Sequence, residues 1–127
     1  STKCTGNTLV ILLMLIVCTL YLNEIGVYMV IQVVNFNLEG IGHQDYLGAT
    51  IEVAPAFKKL NGLISKVWLS DEANNVYRDV YTWKDRQSMD DYLQSEFYDE
   101  VLGSNPSFVN ITYKVYDVLD EQTKITG

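Results

Sequence analysis

Cysteine and histidine are almost missing from this chain. It has two cysteines, Cys4 and Cys18, and a single histidine, His43. That scarcity excludes a disulfide framework and a Cys/His metal constellation, so no metal site is expected. Positive charge is also short: nine Lys and Arg stand against sixteen Asp and Glu, a formal net charge of −7. A nucleic-acid binder needs a basic face to displace counterions, so that class of partner is excluded. Acidity of this degree serves solubility. With 127 residues there is room for one core and not two.

An apolar run long enough to span a bilayer is missing as well. Leu9 to Leu22 reads LVILLMLIVCTLYL, roughly fourteen residues with Thr19 as the only polar member, whereas a crossing takes about twenty. The length suits the apolar part of a signal peptide, and Lys3 gives a thin positive flank. No small-x-small cleavage site follows, and Val17 stands where a lipoprotein signal needs a small residue. Three readings stay open for residues 1–28: a membrane anchor or uncleaved signal, a translated upstream stretch with the start at Met29, or a helix packed on the domain. As an anchor, Lys3 before the run and Glu24 after it would put the N-terminus inside and the domain outside. Met29 opens the first credible strand and favours the second reading. The expected division is therefore an apolar extension, 1–28, and one domain, 29–127. The expected location is the cytoplasm, with anchoring through residues 9–22 as the alternative.

What is present after Tyr28 is an alternation of strand and helix patterns. Met29 to Leu38, rich in β-branched residues, reads as a strand bounded by Glu39-Gly40-Ile41-Gly42. From His43 to Leu60, Tyr46, Leu47, Ile51, Ala54 and Phe57 keep helical spacing. Pro55 predicts a kink or break, and Asn61-Gly62 closes the helix. Leu63 to Ser70 is a second strand, with Leu63, Val67 and Leu69 on one face and Ile64, Lys66 and Trp68 on the other. A polar turn, 71–75, returns the chain as a third strand, Val76 to Trp83. Asp85 is a natural cap for a second helix whose apolar face is Met89, Tyr92, Leu93, Phe97 and Val101. Gly103 to Pro106 ends it, and Phe108 to Val118 is the fourth strand. The order βαββαβ is an α+β, ferredoxin-like arrangement. The first, second and fourth strands are apolar on both faces, and helices cover only one face of a sheet. A second subunit is the economical cover for the other, so a homodimer is expected.

Within this frame, Val80-Tyr81-Thr82-Trp83-Lys84-Asp85-Arg86-Gln87-Ser88-Met89, followed by Tyr92-Leu93-Gln94-Ser95 and Phe97, resembles the strand-to-helix junction of the antibiotic-biosynthesis-monooxygenase superfamily. Pro55-Ala56-Phe57, Gly62 through Trp68, and Asn110-Ile111-Thr112 through Tyr116-Asp117-Val118 resemble its YdhR-type members. The likeness runs from Met29 to about Gly127. It implies a dimeric α+β barrel and a monooxygenase acting on a small aromatic or phenolic molecule, with no cofactor. Relatives of this kind usually carry two glycines where Arg78-Asp79 stand here, so the resemblance implies a pocket that is narrowed or recharged in this chain.

Such chemistry needs aromatic walls, a base and donors for a developing oxyanion. The catalytic candidates are His43, Asn35 and Lys66; the substrate-binding candidates are Trp68, Asp79, Tyr81, Trp83 and Tyr113. Each has a plainer role open to it: the tryptophans as core, His43 as a solvated helix-start residue, and Asn37 beside Asn35 as a turn residue. Lys66 is the exception, because a lysine facing the sheet's second side needs a partner, for which Asp79 or a ligand anion is available. Residue parity puts Ile64, Lys66 and Trp68 beside Tyr77, Asp79, Tyr81 and Trp83. Both helices are then expected on the opposite face, over Leu63, Val67, Leu69 and Val80. The superfamily's haem-degrading branch implies an axial His where Leu102 stands, which argues against haem. The alternative function is a non-catalytic small-molecule-binding or cyclase-like barrel.

Overall fold

A computed structural model of the chain describes residues 8–17 and 28–127. Residues 8–17 form a helix, α1, whose apolar side chains from Leu9 to Val17 are exposed. Among the described residues no helix is long and apolar enough to cross a membrane. The remainder of the apolar run, 18–22, lies outside the described residues.

The domain runs β1 (Val30–Leu38), α2 (His43–Lys58), β2 (Leu63–Asp71), β3 (Val76–Trp83), α3 (Arg86–Leu93), a single turn α4 (Glu96–Tyr98) leading into a π turn (Asp99–Gly103), β4 (Phe108–Asp117) and α5 (Asp120–Thr126). The strands form one antiparallel sheet in the order β2-β3-β1-β4. This is the expected α+β, ferredoxin-like plan, with α5 as an addition.

Local chemistry explains most boundaries. Asp85 caps α3, its Oδ1 accepting from the Ser88 backbone N–H at 2.8 Å. The expected single second helix is divided at Ser95, whose hydroxyl donates to the Tyr92 carbonyl and accepts from the Tyr98 backbone N–H. One side chain therefore closes α3 and opens α4. Pro55 does not break α2, which continues to Lys58; it stands within a turn of the helix's end. Gly62, at φ +80°, is required twice, because an added Cβ would also collide with Ser88 of α3. Asn75, in the left-handed region, ends the β2–β3 connection and clasps Leu38, accepting from its N–H at 3.1 Å and donating to its carbonyl at 2.9 Å.

One expectation is reversed. The side-by-side pairing of β2 and β3 is as the parity argument gives it, with Lys66 opposite Tyr81 and Trp68 opposite Asp79. The helices, however, cover that same face. Tyr46 and Phe57 of α2 and Met89 and Tyr92 of α3 are buried with Val30, Val34, Phe36, Tyr77, Tyr81 and Trp83. The opposite face, with Val67, Val80, Leu69 and Tyr116, is the open one. Leu63 leaves its expected set because a bulge between Leu63 and Ser65 shifts the register and sets it opposite Trp83. The physical reason for the reversal is volume: large rings fill the depth between helix and sheet, and short β-branched side chains do not. On α2 the buried residues are Tyr46 and Phe57, while Leu47 and Ile51 of the expected apolar stripe are exposed.

Candidate active site

Between the sheet and the helices lies a cavity of about 230 Å³. β1 and β4 contribute Phe36 and Phe108. α2 contributes Tyr46, Thr50, Val53 and Phe57 from one side of its surface. β2 and β3 contribute Lys66, Trp68, Asp79 and Tyr81, and the π turn with its following loop closes the end with Glu100, Leu102 and Asn105. The walls are thus aromatic, and the charge is concentrated at one place.

That place is the Lys66–Asp79 pair. Its Nζ and Oδ2 are 3.5 Å apart, and the two side chains are 5% and 4% exposed. Nζ also sits 3.4 Å from the ring centroid of Phe57, 3.3 Å from that of Trp68 and 4.8 Å from that of Tyr81. A desolvated cation–π contact of this kind contributes about 2 kcal/mol, and three rings replace part of the lost hydration. The replacement is incomplete. Burial pulls the Lys66 ammonium down to about 7, against the opposing pull of Asp79, and burial pushes the Asp79 carboxyl up, against the pull of Lys66. Both directions have one cause, the loss of water around the pair. Asp79 Oδ1 is buried and has no hydrogen-bond partner among the described residues, leaving an acceptor in the cavity wall. The surrounding phenols do not compete as acids, since burial raises Tyr46, Tyr81 and Tyr92.

Of the residues singled out from sequence, Lys66, Trp68, Asp79 and Tyr81 meet in this cavity. The rest do not. Trp83 is fully buried core: its ring stacks on Tyr81 with centroids 5.8 Å apart, and Nε1 donates to Gln32 Oε1 at 3.0 Å. His43 pairs through Nδ1 with the Tyr77 hydroxyl at 2.7 Å and lies 3.7 Å from Glu72, fastening the start of α2 to the β2–β3 connection. Asn35 accepts from Arg78 Nε at the sheet surface. Tyr113 lies on edge strand β4 opposite Val34, half-exposed and outside the cavity wall. None of these four lines the cavity: Asn35 is on the other face of the sheet, His43 opens α2, and Trp83 and Tyr113 lie on the helix-facing side but away from the cavity wall. Sequence reasoning missed Phe57, Tyr46, Glu100 and Asn105. The spacing of Tyr46 and Phe57 on α2 was visible, but their shared target was not. Asn105 read only as part of a helix stop. Among the described residues no group of three His, Cys, Asp or Glu side chains is placed to hold a metal.

Comparison with known proteins gives a consistent fold. The family model described as "Putative mono-oxygenase ydhR" matches residues 31–127. Among solved structures, SnoaB, a cofactor-independent oxygenase from Streptomyces nogalater, is similar at a TM-score of 0.59 and 15% identity, over 72% of this chain and 93% of that one. A conserved protein from Methanosarcina mazei Go1 is similar at 0.57 and 16%, over 72% and 93%. An antibiotic biosynthesis monooxygenase is similar at 0.58 and 12%, over 71% and 98%. No curated protein matches the chain by sequence.

Proposed function

The chain belongs to the ydhR family, and from that premise we propose that its cavity oxidises a small phenolic molecule with dioxygen and without a cofactor. The observation that carries this reading is the buried Lys66–Asp79 pair with an unpartnered carboxylate oxygen inside an aromatic cavity. A phenol enters the cavity against its aromatic wall and gives its O–H to Asp79 Oδ1. As its proton passes to the pair, the phenolate gains the Lys66 ammonium as its counter-ion, so negative charge develops where a positive charge is already fixed. The electron-rich ring carbon then reacts with dioxygen. One phenol carrying a free para C–H plus one dioxygen yields one quinone and one water. The fold likeness to SnoaB, which is described as a cofactor-independent oxygenase, supports the reaction class.

Two earlier candidates leave the mechanism. His43 and Asn35 are engaged in hydrogen bonds outside the cavity, so Asp79 takes the base role and Lys66 that of counter-ion. The cavity is smaller than the common range for ligand sites, about 300–1,000 Å³, which favours a molecule of one or two rings. Asp79 stands where the resemblance implies a glycine, so it also sets this chain's preference for a ligand that donates a hydrogen bond.

Oxygen uptake in the presence of one- and two-ring phenols is the test. Catalysed uptake at one dioxygen per quinone, lost in Lys66→Met, is expected. Tight phenol binding with no uptake would assign the cavity to a binding protein instead.

We also propose that the working unit is a homodimer joined through the open sheet face, as the exposure of Val67 (50%) and Tyr116 (53%) beside Val80 and Ile31 supports. Sedimentation at micromolar concentration tests it.

A further inference from the structure

We propose that the same cavity is a carbonyl trap, in which the Lys66 amine condenses with a small, neutral aromatic aldehyde to form an imine. The step needs no oxygen and stands apart from the oxidation proposed above.

Four features meet at one atom. Lys66 Nζ lines the cavity and is held between Phe57 and Trp68, so its position is fixed before a ligand arrives. The other described lysines, Lys58, Lys59, Lys84, Lys114 and Lys124, are exposed and solvated. An amine desolvated in an apolar pocket keeps a neutral, nucleophilic fraction near neutral pH, and the lowering of Lys66 agrees with this. Asp79 Oδ2 contacts Nζ while Oδ1 is unpartnered, so the carboxyl group can hold a hydroxyl at the carbon being attacked. The pair carries no net charge and Glu100 lies in the cavity wall, so a neutral aldehyde fits better than one bearing a carboxylate.

The chemistry balances within these residues. The pair moves its proton from Nζ to Asp79, and the neutral amine attacks the aldehyde carbon. An N–C bond forms, and one amine proton is relayed to the carbonyl oxygen, leaving a carbinolamine. Its C–O bond then breaks; Asp79 returns its proton to the departing hydroxyl, and water leaves. The product is an iminium at Lys66 beside an Asp79 carboxylate, so the original ion pair is re-formed with a covalently held ligand. Water addition reverses the sequence.

Reductive trapping tests this directly. The full chain at pH 7 under nitrogen is treated with benzaldehyde and sodium cyanoborohydride, whose hydride converts the iminium to a stable secondary amine, and modified peptides are mapped by mass spectrometry. One benzyl group on the Lys66 peptide is expected, at least about tenfold faster than on any exposed lysine, because a larger share of its amine is neutral at this pH. Prior addition of benzyl alcohol, a neutral occupant, is expected to slow labelling at Lys66 alone. Lys66→Met is expected to lose the fast adduct. Should that variant not fold, the unaltered chain still decides: labelling spread over exposed lysines with the Lys66 peptide unmodified overturns the proposal. Phenol-dependent oxygen uptake is measured separately, so a failed trap and a failed oxidation are distinguishable.

Discussion

The two faces of the sheet are built from the same strands and differ in what the side chains ask of their surroundings. Toward the helices stand Phe36, Tyr77, Tyr81, Trp83 and Trp68, with Gln32, Lys66 and Asp79 among them. Away from the helices stand Ile31, Val33, Val67, Val80 and Leu69, with Arg78 bonded to Asn35. By hydrophobicity alone the second set is the better core. It is the open face because helices packed on a sheet leave a deep layer that only large rings fill, and a shallow β-branched surface suits another flat sheet. The contrast shows why the buried charges sit on the crowded side. A lysine and an aspartate buried among rings are desolvated and paired with each other, whereas Arg78 on the open face is exposed.

The sharpest break between the faces is energetic. Asp79→Leu leaves the Lys66 charge buried without its partner and is expected to destabilise the fold by about 3–5 kcal/mol, whereas Asp79→Leu combined with Lys66→Met is expected to recover most of that loss. Denaturant unfolding of the two single variants and the double variant measures it. A double variant as unstable as Asp79→Leu would mean the pair is not coupled. Next come the tryptophans. Trp83→Ala is expected to cost about 3–5 kcal/mol as a core deletion. Trp68→Phe is expected to change stability little and to weaken a phenolic ligand, which fluorescence titration reads out.

On the other face, Leu69→Lys is expected to leave unfolding cooperative and to convert a sedimenting dimer to a monomer. A variant that stays dimeric would move the subunit contact elsewhere. The smallest expected effect is in pH. Lys66 binds its proton only below about 7 when folded, but up to its ordinary value of 10.5 when unfolded. Its contribution to stability therefore rises with pH across that window and is lost as pH falls through 7. Above pH 10 the buried tyrosines act oppositely, because Tyr46, Tyr81 and Tyr92 ionise more readily in the unfolded chain. The melting temperature is expected to climb from pH 7 toward 10 and then decline, with the climb reduced in Lys66→Met.

Much of this was legible beforehand. The β-branched run of β1, the turn at 71–75 and the Asp85 cap are local signals, and each is fulfilled within a residue or two. The Lys66–Asp79 partnership was legible too, because register and parity carry it across a hairpin. The face that the helices choose was not, since it depends on filling a volume that no single element reports. The Leu63–Ser65 bulge was hidden for a related reason: strict alternation has no place for an extra residue. The partner of His43 was hidden as well, since its contact with Tyr77 joins the first turn of α2 to a strand 34 residues away.

The measurement closest to the central claim is an NMR titration of ¹³C-labelled lysine side chains, following Lys66 Cε with pH and then with an added one-ring phenol. The expected result is a Lys66 resonance that titrates near 7 and shifts on phenol binding. A Lys66 that titrates at the ordinary lysine value of 10.5 and ignores the phenol would contradict a reactive site beneath the helices.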